Sequence, residues 1–150
     1  MDRQCTVACA IESISWASGF VDGEGCISIV KTRQPGRKNP TYRVRLEVAQ
    51  NNREVLVTLR ENLGESAGLY ANKRQASHNR QTYSLVLDGV HALRAVAKLR
   101  PHLRRKQAEA DVLLSYEKLG WMGVHPGARG YPPEVWAERE RICRKLRRLK

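Results

Sequence analysis

Two acids one residue apart, Asp22 and Glu24, lie in Asp22-Gly23-Glu24-Gly25, where a helical pattern stops and a strand pattern starts. Upstream, Ile14, Ala17 and Val21 recur on one helical face. Ser15, Gly19 and Gly23 recur every four residues on another, and all three are small. An interior glycine costs a helix roughly 1 kcal/mol against alanine. Two of them on one face therefore predict a close neighbour, and small residues let a second helix approach. Cys26-Ile27-Ser28-Ile29-Val30 then reads as a strand. Glu24 is left at the helix C-terminus, which favours cations and disfavours carboxylates. A glutamate there is either incidental or balanced by a bound metal ion. The remaining metal-ligating types form no pattern. The four histidines are scattered, and Cys5 and Cys9 have no second pair to complete a zinc site. The cysteines read as free thiols in a reducing cytoplasm.

The elements that must position these acids belong to a basic chain of 150 residues. That length suffices for one domain with a real core, and residues 1–150 read as a single domain. Lys and Arg number 27 against 15 acids, a net charge of +12. This balance points to a polyanionic partner: DNA, RNA or an anionic membrane. No apolar run is long enough to span a membrane. The first 20 residues lack the charged and apolar regions of a secretory signal, so the protein is not expected to be secreted.

In chain order, residues 1–10 read as a loose lead-in or an extra first turn. The helix starts at Glu12 or Ser13 and runs to about Gly23. Strand one covers about Cys26 to Thr32, and Pro35-Gly36 centres a turn. Strand two, Thr41 to Gln50, alternates. Val44, Leu46 and Val48 point one way, and Thr41, Arg43, Arg45 and Glu47 the other. Asn51-Asn52 breaks the strand and caps a helix from Arg53 to Leu63, which Gly64 ends. Leu69–Arg74 and Gln81–Leu87 read as a second hairpin. In its second arm Tyr83, Leu85 and Leu87 oppose Thr82 and Ser84. Asp88 caps a helix from Gly89 to about Leu99, with Leu93, Val96 and Ala97 toward the core. Pro101 interrupts it, and another helix runs from about Leu103 to Leu119. After a Gly- and Pro-rich stretch to Pro133, a last helix spans Glu134–Leu149 with a basic end. Ile142, Leu146 and Leu149 either pack on the domain or belong to a solvated basic helix end.

The segment Ala17 to Gly25 resembles the nine-residue signature of the LAGLIDADG homing endonucleases, with small residues, Gly19, the apolar pair Phe20-Val21 and an acid–small–acid–Gly ending. Ala17 and Ser18 depart from the usual Leu-Ala, and Glu24 stands where Asp is commonest. The element order αββαββα over residues 12 to about 100 is the one expected for that family. The resemblance implies an α+β fold with a four-stranded antiparallel DNA-binding sheet. Here it comes with extra C-terminal helices, a core of about 12–118 and a basic helix at about 133–149. The motif occurs once, which implies a homodimer that pairs its glycine-faced helices through Ser15, Gly19, Asp22 and Gly23.

The resemblance also implies the site. Phosphodiester hydrolysis needs an activated water, charge relief on the phosphate and help for the leaving oxygen, and divalent ions supply all three. Glu24 and the Gly23 carbonyl would hold Mg²⁺, with Mn²⁺ or Ca²⁺ in the same place. One Glu24 is too little for a two-metal clamp, and two, one from each subunit, suffice. Asp22 is expected to be structural rather than a ligand. Gln50 matches a glutamine that orders water near the cleavage point, or is a polar strand end. Lys106, in Arg100-Pro101-His102-Leu103-Arg104-Arg105-Lys106-Gln107, matches a lysine that stabilises phosphate charge, or lies on a solvated face. Arg53 stands one position before the family's basic residue, so its role is carried over from a shifted backbone or is absent.

A two-stranded ribbon fits the major groove, where Arg suits guanine and Glu accepts from cytosine. The polar face offers Ser28, Thr32, Arg43, Arg45, Glu47, Thr82 and Ser84, with Lys73 as an addition. The loop tips carry Arg37, Lys38, His78 and Arg80 toward phosphates or outer bases. The function expected is a metal-dependent double-strand DNA endonuclease acting on a long near-palindrome. It would work beside a genome in cytoplasm or organelle, with neither a membrane nor a small-molecule substrate. The alternatives are an RNA maturase or DNA regulator that kept the fold without cleavage, and an ordinary basic structural protein.

Overall fold

The computed structural model describes residues 3–74, 76–77, 79–120 and 130–150, and the side chains of these except 3–12 and 117–120. Helix α1 (Arg3–Glu24) leads directly into strand β1 (Gly25–Thr32), which pairs with β2 (Thr41–Gln50). Helix α2 (Arg53–Leu63), strands β3 (Gly68–Ala71) and β4 (Tyr83–Asp88) and helix α3 (Gly89–Leu99) follow. A 3-10 turn, Arg100–His102, separates α3 from α4 (Gln107–Gly120), and α5 (Pro133–Arg148) closes the described chain. The core order is αββαββα, with two helices after it. No helix among the described residues is long and apolar enough to cross a membrane.

The four strands form one antiparallel sheet in the order β1-β2-β4-β3. Period-2 patterning decides its faces. Ile27, Ile29, Val44, Leu46, Val48, Leu85 and Leu87 are buried on the side that meets the helices. The helices close that side with Ala17 and Val21 of α1, Leu56, Leu59 and Leu63 of α2, and Leu93, Val96 and Leu99 of α3. The other face carries Ser28 opposite Arg45 and Thr32 opposite Thr41.

Local signals place several ends. The Asn52 side chain accepts from the N–H groups of Glu54 (3.0 Å) and Val55 (3.3 Å), capping α2. Gly64, at φ 64°, ends that helix in the left-handed region glycine favours. Pro35 and Gly36 (φ 78°) form the middle of a turn closed by Arg37 N–H to Gln34 O at 3.2 Å.

Other expectations differ from the structure. Helix α1 begins at Arg3 rather than near Glu12. The sequence has no Gly or Pro before Gly19, so nothing stops the helix from propagating backwards. The second hairpin is shorter than its sequence suggests. Past Ala71 one backbone bond remains, Asn72 N–H to Thr82 O at 2.9 Å, and side chains join it, with Asn72 Nδ2 donating to Thr82 Oγ1 (3.2 Å) and Ser84 Oγ (3.0 Å). Gln81 Nε2 donates to the Asn72 carbonyl at 2.7 Å. Ala97 is exposed, and Ala92, Ala95 and Leu99 fill the places beside Leu93 and Val96. Leu149 is exposed too, while Ile142 and Leu146 are buried. Asp88 stands at the N-cap position of α3 without making a cap bond, because its carboxylate is turned to Arg45 and Arg43.

Helix α5 lies against β1 and α4, and one acid fastens it. Glu140 takes Lys31 Nζ at 2.7 Å and the Tyr42 hydroxyl at 2.5 Å, with Arg144 at 3.0 Å. The Lys31 bond first, then the Tyr42 bond, hold its carboxyl down at about 2. The ordinary value is 4.5, so the folded chain binds this proton less well than the unfolded one. The resulting stability is present above pH 4.5 and is lost as pH falls toward 2. Glu140→Gln is therefore expected to lower the melting temperature at pH 7 and to converge with the wild type as pH approaches 2. Parallel melting curves across that range would contradict the latch.

Candidate active site and nucleic-acid interface

The site forms where α1 ends. Asp22 is in the last turn of α1, and its carboxylate reaches the segment before α4. It accepts from Arg104 N–H (3.1 Å), Arg105 N–H (2.8 and 3.0 Å) and Lys106 N–H (2.8 Å). The bond returns through Lys106, whose ammonium donates to the Asp22 carbonyl. Each partner thus satisfies groups that a helix end leaves open. The carboxylate takes N–H groups leading into α4, and the ammonium sits on the negative end of α1. Burial alone would push the Asp22 carboxyl up, but the N–H groups of Arg105, Lys106 and Arg104 hold it below the usual carboxylate range. These bonds draw Leu103–Lys106 out of helical geometry, so α4 starts at Gln107 rather than Leu103.

Lys106 is 7% exposed and does not lie on a solvated face. Gly25 lets the chain turn back along α1, because a Cβ there would stand 2.7 Å from the Val21 carbonyl oxygen and 2.8 Å from Val21 Cγ1. Glu24 and Gly23 remain exposed. Gly25 pairs with Val48, so Gln50, two residues further along β2, lies at the same end of the sheet. Arg53 is exposed at the start of α2. Beside this junction a cleft of about 320 Å³ is lined by Gly23, Gly25, Arg105, Lys106, Glu109 and Lys150. Lys150 Nζ is 3.0 Å from Cys26 Sγ.

No group of three or more metal-ligating side chains occurs among the described residues. The junction nevertheless suits a magnesium-like ion, which takes one or two carboxylates and completes its shell with waters and phosphate oxygens. The exposed Glu24 carboxylate and Gly23 carbonyl are such a partial set. The exposed face of α1 carries Ser15, Gly19 and Gly23, with Trp16 stacked on Phe20 at 5.4 Å. A Cβ at Gly19 or Gly23 would meet nothing within 4 Å. Within one chain these glycines have no close neighbour to accommodate.

On the open sheet face, Arg45 is clamped by Asp88, Nε to Oδ1 at 2.7 Å and Nη2 to Oδ2 at 3.0 Å. Arg43 lies 3.6 Å from the same carboxylate and is more exposed. Glu47 and Ser28 are half-buried on this face, and Thr32 is exposed. Ser84 shares the face but is buried under Asn72, which removes it from the open surface. Thr82, Lys73 and Arg80 border a basic cleft at the tip of the second hairpin. Arg37 and Lys38 are exposed in the first turn, and His78 lies outside the described residues. Asp88 and Trp16 were not among the sequence-derived candidates. The parity of Asp88 along β4 marks its face, but its register against Arg45 is set by the sheet.

The LAGLIDADG endonuclease family model matches residues 17–119, and the chain belongs to that family. The fold is similar to the crystal structure of the homing endonuclease I-CvuI in complex with its target in 2 mM Ca. The TM-score is 0.75 at 24% identity, covering 94% of this chain and 83% of that one. It is also similar to an archaeal intron-encoded homing endonuclease, I-Vdi141I, complexed with DNA. There the TM-score is 0.71 at 18% identity, over 91% and 83% of the two chains. No curated protein sequence matches the chain.

Removing the carboxylate at Asp22 leaves the N–H groups before α4 without their acceptor. Asp22→Ala is expected to cost about 1–2 kcal/mol, the upper range for a helix cap, in urea unfolding. An unchanged unfolding midpoint would contradict the clasp.

Proposed function

We propose that the protein is a homodimeric, divalent-metal-dependent endonuclease that cuts both strands of a long, near-palindromic DNA site. The observation that carries this reading is Glu24, exposed on the motif helix of a chain that belongs to the family and has the motif once. Glu24 and the Gly23 carbonyl would hold Mg²⁺, or Mn²⁺ or Ca²⁺ in its place. When bound, such an ion supplies charge relief on the phosphate and lowers the pKa of a water.

The chain's own residues do the rest. The Gln50 amide orients a water without acting as a strong base. Lys106, held against the Asp22 carbonyl, contributes its field from behind the junction rather than by free rotation. Arg53 adds positive charge at the exposed start of α2. Two junctions are needed because each chain brings one Glu24. The open Ser15–Gly19–Gly23 face of α1, with Asp22 behind it, is the surface on which two copies would meet.

The sheet reads the target. With Nε and one Nη2 proton on Asp88, Arg45 keeps the Nη1–Nη2 edge free for a guanine, already oriented. Arg43, Glu47, Ser28 and Thr32 extend that surface. Thr82 and the cations Arg37, Lys38, Lys73 and Arg80, with His78 of the same loop as Arg80, would approach phosphates or outer bases. Each half-site would occupy about one helical turn, roughly 10 base pairs. The protein would act beside a genome, in cytoplasm or organelle.

Glu24→Gln keeps the size and removes the charge at the junction. The variant is expected to bind target duplex about as tightly as the wild type in a gel-shift assay and to cut it not at all in Mg²⁺. Cutting at the wild-type rate by this variant would remove Glu24 from the chemistry.

A further inference from the structure

Away from the α1 junction, a second cleft of about 270 Å³ opens between the start of β2, the first turn of α3, α4 and α5. Its lining includes Thr41, Arg43, Gly89, Val90, Tyr116 and Arg139. Arg139 is 8% exposed. Its guanidinium lies against the rings of Tyr131 (4.2 Å), Trp136 (5.1 Å) and Tyr116 (5.8 Å). Its Nε is buried with no hydrogen-bond partner, and among the described residues no carboxylate forms an ion pair with it. The ring faces stabilise the cation in place of a carboxylate, but a buried N–H left without an acceptor is costly, so Arg139 keeps unmet donor capacity in the protein alone.

A second feature converges on the same cleft. Helix α3 has 11 residues, and its N-terminus borders the cleft at Gly89 and Val90 without a side-chain cap. The first-turn N–H groups of a helix have no intrahelical acceptor and draw anions. Asp88, the residue at the N-cap position, is committed to Arg45 and Arg43 on the sheet face, and the Glu65 carboxylate near the first turn is taken by His91 and Lys98.

We propose that this cleft is a binding site for a small organic phosphate. The phosphate oxygens would take the α3 first-turn N–H groups and the Arg139 guanidinium. The apolar remainder would lie against Val90, Leu93 and Tyr116. The apolar part of the wall argues for an organic anion over a bare ion. The phosphate has two natural sources, a free nucleotide and the phosphorylated end of a nucleic-acid strand. The site stands apart from the Glu24 junction and does not depend on the nuclease reading.

Calorimetric titration of the full chain with inorganic phosphate, AMP, adenosine and a trinucleotide with or without a 5′-phosphate tests this. AMP is expected to bind once per chain and adenosine not at all. Arg139→Leu should weaken AMP at least about tenfold. Val90→Glu places a carboxylate at the exposed mouth and is expected to weaken AMP similarly, which keeps the test open if the Arg139 variant does not fold. Tighter binding of the 5′-phosphorylated trinucleotide than of AMP would assign the site to a strand end, and equal or weaker binding to a free nucleotide. The proposal is overturned if adenosine binds as well as AMP, if AMP and phosphate both fail to bind, or if Val90→Glu binds AMP like the wild type.

Discussion

The Asp22 carboxylate holds together two helix ends that lie far apart in the chain, and the candidate site depends on that contact. Its acceptors reach N–H groups 82 to 84 residues away, and Lys106 returns a bond to its carbonyl. With both ends sealed, α1 can stop at Glu24 and give way at once to β1. Gly25 allows the turn because no side chain would fit against Val21. The sequence Asp-Gly-Glu-Gly therefore divides its labour. One acid is committed to structure, the other is left in solvent, and Gly25 supplies the room for the turn.

The same economy governs the sheet. Its buried face is aliphatic and needs no further explanation than area removed from water. Its open face carries cations, and the Asp88 clamp on Arg45 restrains one of them. A long arginine loses rotamer freedom when it contacts a base. An arginine already held by a bidentate carboxylate has lost much of it in folding, so less is lost on binding. Asp88 thereby leaves α3 uncapped, which exposes an N-terminus to the neighbouring cleft. The open sheet face and the second cleft are coupled through that one choice of partner.

The parts of the fold legible in the sequence are those with short-range causes. Strand Thr41–Gln50 is given by alternation, and helix Arg53–Leu63 by Asn52 before it and Gly64 after it. Gly89–Leu99 is given by its apolar face. The position of Glu24 at the exposed end of α1 is legible too, from the Gly-Glu-Gly that breaks the helical pattern. What could not be read has long-range causes. The burial of Lys106 needs Asp22 across the fold, and within Arg104-Arg105-Lys106 nothing local singles out the residue that turns inward. The clamp on Arg45 spans 43 positions. The end of β3 is decided by how Asn72 meets Gln81, Thr82 and Ser84. The early start of α1 shows the limit of looking for caps, because a helix with no breaker continues without one.

A chain with one Glu24 would cut DNA as a pair, each copy reading half of a symmetric site. Incubating the protein with a randomised duplex library, with Mg²⁺ or with a chelator, and sequencing the new ends decides whether it does. Mg²⁺-dependent ends within one near-palindrome of about 20 base pairs, two helical turns, are expected. Enrichment of bound sequences with no cut ends in Mg²⁺ would contradict this and leave a binding protein on an endonuclease fold.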